Sequence, residues 1–151
     1  MILGLQGEIF IDEQQFQAAN TAFDKALNLA PSNYLIINNY AYYLALRNQQ
    51  LSKASILIAR AAAALPNNAS IADTYALVLF RQQKYAEARV WIEKALQNNT
   101  EENSVYLEHY GDILYLKGDK EKALIQWQKA KDAGDDTEKL TRKINEKKYI
   151  K

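Results

Sequence analysis

Residues 75–95 read YALVLFRQQKYAEARVWIEKA. Apolar residues recur at helical spacing on both sides of a polar break at Arg81–Lys84, so the stretch predicts two short amphipathic helices joined by a tight turn. Small residues stand at Ala76, Ala88 and Ala95, and large ones at Tyr75, Leu79, Tyr85 and Ile92. A helix carrying alanine or glycine lets its neighbour approach closely, and a bulky side chain on that neighbour fills the space beside it.

The rest of the chain repeats this unit. The small residue after the first-helix aromatic falls at Gly7, Ala41, Ala76 and Gly111, in steps of 34, 35 and 35. The early alanine of the second helix falls at Ala19, Ala54, Ala88 and Ala123, and a later one at Ala26, Ala61, Ala95 and Ala130. The turn after the second helix comes at Pro31, Pro66, Thr100 and Asp135. Landmarks kept in step at this period are the signature of stacked helix pairs, each too small to bury its apolar stripe without the next.

The pattern resembles the tetratricopeptide repeat, marked by Trp-x-x-Leu-Gly-x-x-Tyr, then Ala-x-x-x-Phe, then Pro. Copy four carries Leu107, Tyr110, Gly111 and Leu114, then Ala123, Trp127 and Ala130; copy one carries Leu3, Gly7 and Phe10, then Ala19, Phe23, Ala26 and Pro31. The resemblance covers residues 1–135. Gln6 departs from it, standing where later copies have Tyr40, Tyr75 and Tyr110. One extra residue falls near 48–50 and another among 101–103, both in turns, where insertion is tolerated. The stretches 38–48 (NNYAYYLALRN), 106–130 (YLEHYGDILYLKGDKEKALIQWQKA) and 147–151 (KKYIK) also resemble the C-terminal repeat region of large tetratricopeptide proteins of Bacteroidota. That resemblance implies a piece of a longer chain, and members of that group are often exported and attached to the outer membrane. Met1 falls part-way into the first helix of copy one, which points the same way.

The expected fold is therefore all-α: a right-handed α-solenoid of four helix-turn-helix repeats (about 1–33, 34–68, 69–103 and 104–135) and a capping helix at 136–150. Helices are expected at 2–11 and 15–29, 33–47 and 51–64, 69–82 and 85–97, and 104–117 and 120–132. In the last segment Asp135 and Glu138 have the spacing of a capping box, and Leu140 and Ile144 form a narrow apolar stripe at i, i+4.

Composition narrows the function classes. The 151 residues carry a net charge of +1 and no cysteine, which excludes disulfides, thiolate metal sites and thiol catalysis. Residues 117–151 hold 11 Lys+Arg against 7 Asp+Glu, net +4, whereas residues 1–116 hold 8 against 11, net −3. The basic segment has acids interspersed and no stacking series of aromatics, so it reads as a solvated helix rather than a nucleic-acid surface. The most apolar run, 56–65, is broken by Arg60 and falls short of the roughly 18 residues a membrane span needs. With one histidine and no glycine-rich loop, neither nucleophilic catalysis nor phosphate cradling has its parts. No cofactor is expected. Glu108, His109 and Asp112 form a polar cluster that would need Asp73 from another helix to hold a metal, and it reads better as groove lining.

The tetratricopeptide resemblance implies that the first helices line a concave face on which ligand peptides lie. By register that face holds Asn38, Asn39 and Tyr42 in copy two, Asp73, Thr74, Leu77 and Arg81 in copy three, and Glu108, His109, Asp112 and Tyr115 in copy four. The family's carboxylate clamp for acidic chaperone tails would occupy Gly4, Glu8, Asn39, Ser70 and Thr74, and only Asn39 agrees. An acidic chaperone tail is thus not expected as partner. The expected function is a non-catalytic scaffold that binds an unidentified protein or peptide, with no nucleic acid and no direct membrane insertion. The alternative is an assembly segment of a cell-envelope complex. The groove charges, Asp73, Glu108 and Asp112 against Arg81, predict a weakly negative field.

Overall fold

The structure, a computed structural model, describes residues 15–151. Among them are eight α-helices and no strand: α1 (Phe16–Leu29), α2 (Tyr34–Leu46), α3 (Leu51–Ala64), α4 (Ala69–Arg81), α5 (Tyr85–Gln97), α6 (Ser104–Lys117), α7 (Lys120–Asp132) and α8 (Glu138–Glu146). The helix expected at 2–11, with Gly4, Gly7 and Glu8, lies outside the described residues.

Each first helix starts behind an asparagine. Asn33 accepts from the Ile36 N–H, Asn68 from that of Ile71, and Asn103 from those of Val105 and Tyr106. Such a cap satisfies backbone donors that would otherwise go unpaired and is worth about 1 kcal/mol. The three asparagines are themselves 35 residues apart, a landmark the alanine register leaves unmentioned. The inner turns share a left-handed residue in step, Asn48, Gln83 and Gly118, of which only glycine takes that conformation without steric cost. In copy two Gln50 is left-handed as well, and this is where the extra residue is absorbed.

Packing follows the small-to-large rule. Ala41 and Ala76 are buried, and Phe23, Ile58, Ile92 and Trp127 fill the matching place on the second helices. At Gly111 the approach is closest: a Cβ there would overlap the indole of Trp127. The core runs continuously from Phe23 through Ile113, and a second cluster joins Leu107, Trp127 and Ala130 to Leu140 of α8. First helices touch one another across repeats, α2 against α4 and α4 against α6, whereas second helices share no comparable contact. The stack therefore curves with its first helices on the inner wall.

The C-terminal segment departs from expectation in two ways. The cap of α8 is Thr137, whose Oγ1 accepts from the Leu140 N–H, while Asp135 instead accepts from the Thr137 N–H and forms the preceding turn. The helix also ends at Glu146 rather than at 150, because Lys147 adopts a left-handed conformation and turns the chain. Residues 148–151 then run back over the inner wall, and Tyr149 packs against both core clusters.

Candidate functional site

The inner wall carries two cavities. One, of about 330 Å³, lies among the middle of α2, the N-terminal half of α4 and the start of α6. Asn38, Asn39, Tyr42, Asp73 and Thr74, all expected on this face, line it together with Tyr43, Ser70 and Tyr106. The second, of about 280 Å³, lies between the C-terminal ends of α2 and α4, the middle of α6 and the C-terminal segment. Leu77, Arg81, Glu108, His109 and Asp112 line it, closed over by Lys139, Lys143 and Tyr149. Tyr115 joins neither of these two cavities: its ring stacks on Trp127 at 5.6 Å between centroids.

The first, open half is polar and aromatic. Asn38 is 8% exposed and its Nδ2 donates to Ser70 Oγ at 2.9 Å, while its Oδ1 is buried with no hydrogen-bond partner among the described residues. Tyr42 stands edge-on to Tyr43 at 5.8 Å. Burial pushes the Tyr42 and Tyr106 hydroxyls above the usual phenol range, and the Asp73 carboxylate adds to the effect in both. Asp73 and Thr74 are themselves almost fully buried, so they floor the cavity rather than project from it.

The second, closed half is held by a buried ion network. Lys143, only 2% exposed, donates from Nζ to Glu108 Oε2 at 2.6 Å and to Asp112 Oδ1 at 2.8 Å. Trp127 Nε1 donates to the same Asp112 oxygen at 3.1 Å. Burial works against the Lys143 charge, but Asp112 and Glu108 more than offset it and hold the ammonium above its ordinary value. Burial pushes the Asp112 carboxyl up, with Lys143 opposing. His109 joins the halves, its Nδ1 lying 2.7 Å from Asp73 Oδ1. Burial lowers the His109 pKa, yet Asp73, with help from Asp112 and Glu108, raises it on balance.

This network corrects the charge expected of the groove. Arg81 is not the only cation: Lys143 comes in from α8 to neutralise Glu108 and Asp112, and His109 faces Asp73. Among the described residues no group of three or more such side chains could hold a metal ion. The four polar side chains expected to cluster are instead tied to one another, to Trp127 and to Lys143.

The register missed Lys143, Tyr149 and Tyr106. A signal existed for two of them. Lys143 interrupts the apolar side of α8 between Leu140 and Ile144, and Tyr106 stands where the other first helices have Ile36 and Ile71. Nothing local marks Tyr149, whose contacts depend on the turn at Lys147.

No protein-family model and no curated protein sequence matches the chain. Solved structures do. A tetratricopeptide repeat protein from Parabacteroides merdae superposes with a TM-score of 0.81 at 21% identity, covering 96% of this chain and 56% of that one. MamA from Desulfovibrio magneticus RS-1 gives 0.73 at 23% identity, over 89% of this chain and 76% of that one. PilF of Pseudomonas aeruginosa gives 0.75 at 20% identity, over 96% and 68%. This chain thus spans little more than half the length of the Parabacteroides protein. At these identities the likeness concerns the fold, and together with the helix-pair register and the glycine–tryptophan contact it settles the architecture: the chain has the fold of a tetratricopeptide-repeat solenoid.

Proposed function

We propose that the chain is a non-catalytic scaffold that binds a peptide segment or partner protein through its concave face, with the open half as the principal contact. The observation that carries this reading is the cavity walled by Tyr42, Tyr43 and Tyr106 and floored by Asn38, Asp73 and Thr74. Amide and hydroxyl groups there offer hydrogen bonds to an extended backbone, and the rings offer flat apolar area at little entropic cost. Affinity then rests on a few anchors rather than on long-range steering. With Asp73 on the floor and no compensating surplus of cations, an acidic chaperone-tail peptide should show no binding at micromolar concentration by calorimetry.

A second reading, assembly within a larger complex, draws on the outer face. Ile56, Val90 and Ile125 occupy the same place on three successive second helices and are 70%, 55% and 54% exposed. Contacts to sister domains would use that row. A photo-cross-linking residue placed at Asn39 or at Val90 in the full-length protein separates the two. Adducts from position 39 alone support the groove scaffold; adducts from position 90 alone support assembly and contradict it.

A further inference from the structure

The closed half of the groove already holds a segment, and the way it is held indicates what else fits. After Lys147 turns the chain, the Tyr149 ring lies edge-on to Phe80 at 5.7 Å between centroids, at an interplanar angle of 70°. Lys143 Nζ sits 5.4 Å from the centroid of the same ring. Burial and the Asp112 carboxylate raise the Tyr149 hydroxyl pKa, while Arg81 and Lys143 oppose them, so the phenol stands among charges of both signs. An edge-on aromatic neighbour and an ammonium over the face are the two arrangements that a ring quadrupole favours.

Yet the segment fills its seat incompletely. Among the described residues Arg81 Nε is buried without a hydrogen-bond partner, although the same guanidinium also meets the Tyr149 hydroxyl, and the cavity of about 280 Å³ beside the ring remains. Only Tyr149 and Ile150 of residues 147–151 are partly covered; Lys147, Lys148 and Lys151 are exposed. The Lys148 side chain reaches Glu146 at 3.4 Å on the surface, and its backbone N–H donates to the Lys143 carbonyl at 3.2 Å. Five residues are thus held mainly through the single Tyr149 side chain, and ordering their backbone offsets part of what its contacts gain. Such a segment is displaceable by an outside ligand that makes the same contact and adds an acceptor for Arg81.

We infer that the Phe80–Arg81–Lys143 seat is a docking position for a tyrosine-bearing segment of a partner protein, and that residues 147–151 are its built-in competitor. The inference rests on the scaffold reading and adds the chemistry of the partner: a tyrosine at the closed half, with a carbonyl or carboxylate acceptor close behind it. The tail competes at an effective concentration of about millimolar, as any short tether does. Removing its ring therefore raises the apparent affinity for an outside tyrosine rather than lowering it.

The probe is a synthetic peptide of residues 146–151, EKKYIK, titrated into the full chain and into its Tyr149→Ala variant, with helicity checked by circular dichroism. Binding to Tyr149→Ala at least tenfold tighter than to the unaltered chain is expected, lost when the peptide tyrosine is replaced by alanine. A Phe80→Ala/Tyr149→Ala chain that remains helical is expected to lose the peptide again. Equal binding to both chains, or binding to neither, overturns the inference. A natural partner that depends on Tyr42 but is indifferent to Tyr149→Ala would also overturn it while leaving the scaffold reading intact.

Discussion

The two halves of the concave face are built from the same three helices and reach opposite ends. Toward the C-termini of those helices, the acidic groups Glu108 and Asp112 are matched from within by Lys143, and the apolar wall of Leu77, Phe80 and Ile113 lies under Tyr149. Toward the N-termini, Asn38, Tyr42, Asp73 and Thr74 meet no C-terminal segment, and one buried acceptor is left without a donor among the described residues. The difference comes from the chain beyond the last repeat. A solenoid must cover its final helix pair, and here the cover is long enough to turn inward and satisfy half of the groove. On the proposed reading, the other half is the one left open to a partner.

The largest effect that could break this comparison belongs to Trp127. Its indole fills the place opened by Gly111, packs on Leu140 and donates to Asp112. Trp127→Ala should cost about 3–5 kcal/mol in urea unfolding, as deletion of a fully buried aromatic does. A loss under about 1 kcal/mol would mean that the closed half is not anchored there.

Lys143→Ala comes next. It leaves Glu108 and Asp112 facing each other with no ammonium between them, and breaking a buried pair in this way costs about 3 kcal/mol or more. The variant should also loosen residues 138–151, seen as faster amide exchange in α8 while α2–α5 keep their protection. Uniform loss of protection along the chain would show that the two halves are not separable.

A smaller effect sharpens the junction. His109 lines the closed cavity and bonds Asp73 of the open one, with Glu108 and Asp112 on its own helix also facing it. Its folded pKa lies above the ordinary 6.5, so the native state holds the His109 proton more strongly than the unfolded chain does. That contribution is fully present below pH 6.5 and is lost as pH rises through the higher folded value. The urea midpoint should fall as pH is raised across this window, and His109→Gln should flatten the fall. An unchanged slope in the variant would remove His109 as the link between the halves.

Much of the architecture was legible because packing repeats. The alanine register located every described helix of the four repeats to within about one residue, since each copy needs a small residue and a large one at fixed places. The asparagine caps repeat as faithfully, and their period could have been read as well. What the residues could not disclose was the part that does not repeat. Asp135 has the spacing of a cap but lies two residues before Thr137, the one whose backbone is extended. The stop at Lys147 rests on a left-handed backbone that lysine does not advertise. The groove register reached both cavities, though it left out Tyr43, Phe80 and Tyr106 and included Tyr115, and it assigned the two one shared field. Lys143 and Tyr149 reach the face from outside the period, and they decide which half is filled.

The account's central claim is that the concave face, and chiefly its open half, takes the partner. The most direct measurement is calorimetric titration of the partner segment cross-linked at position 39 into three chains: unaltered, Tyr42→Ala and Ile125→Ala. The account predicts that Tyr42→Ala weakens binding at least tenfold with the helical content unchanged, and that Ile125→Ala changes it less than twofold, because interface energy concentrates in a few aromatic anchors. Binding that survives Tyr42→Ala and fails with Ile125→Ala would contradict it and move recognition to the outer face.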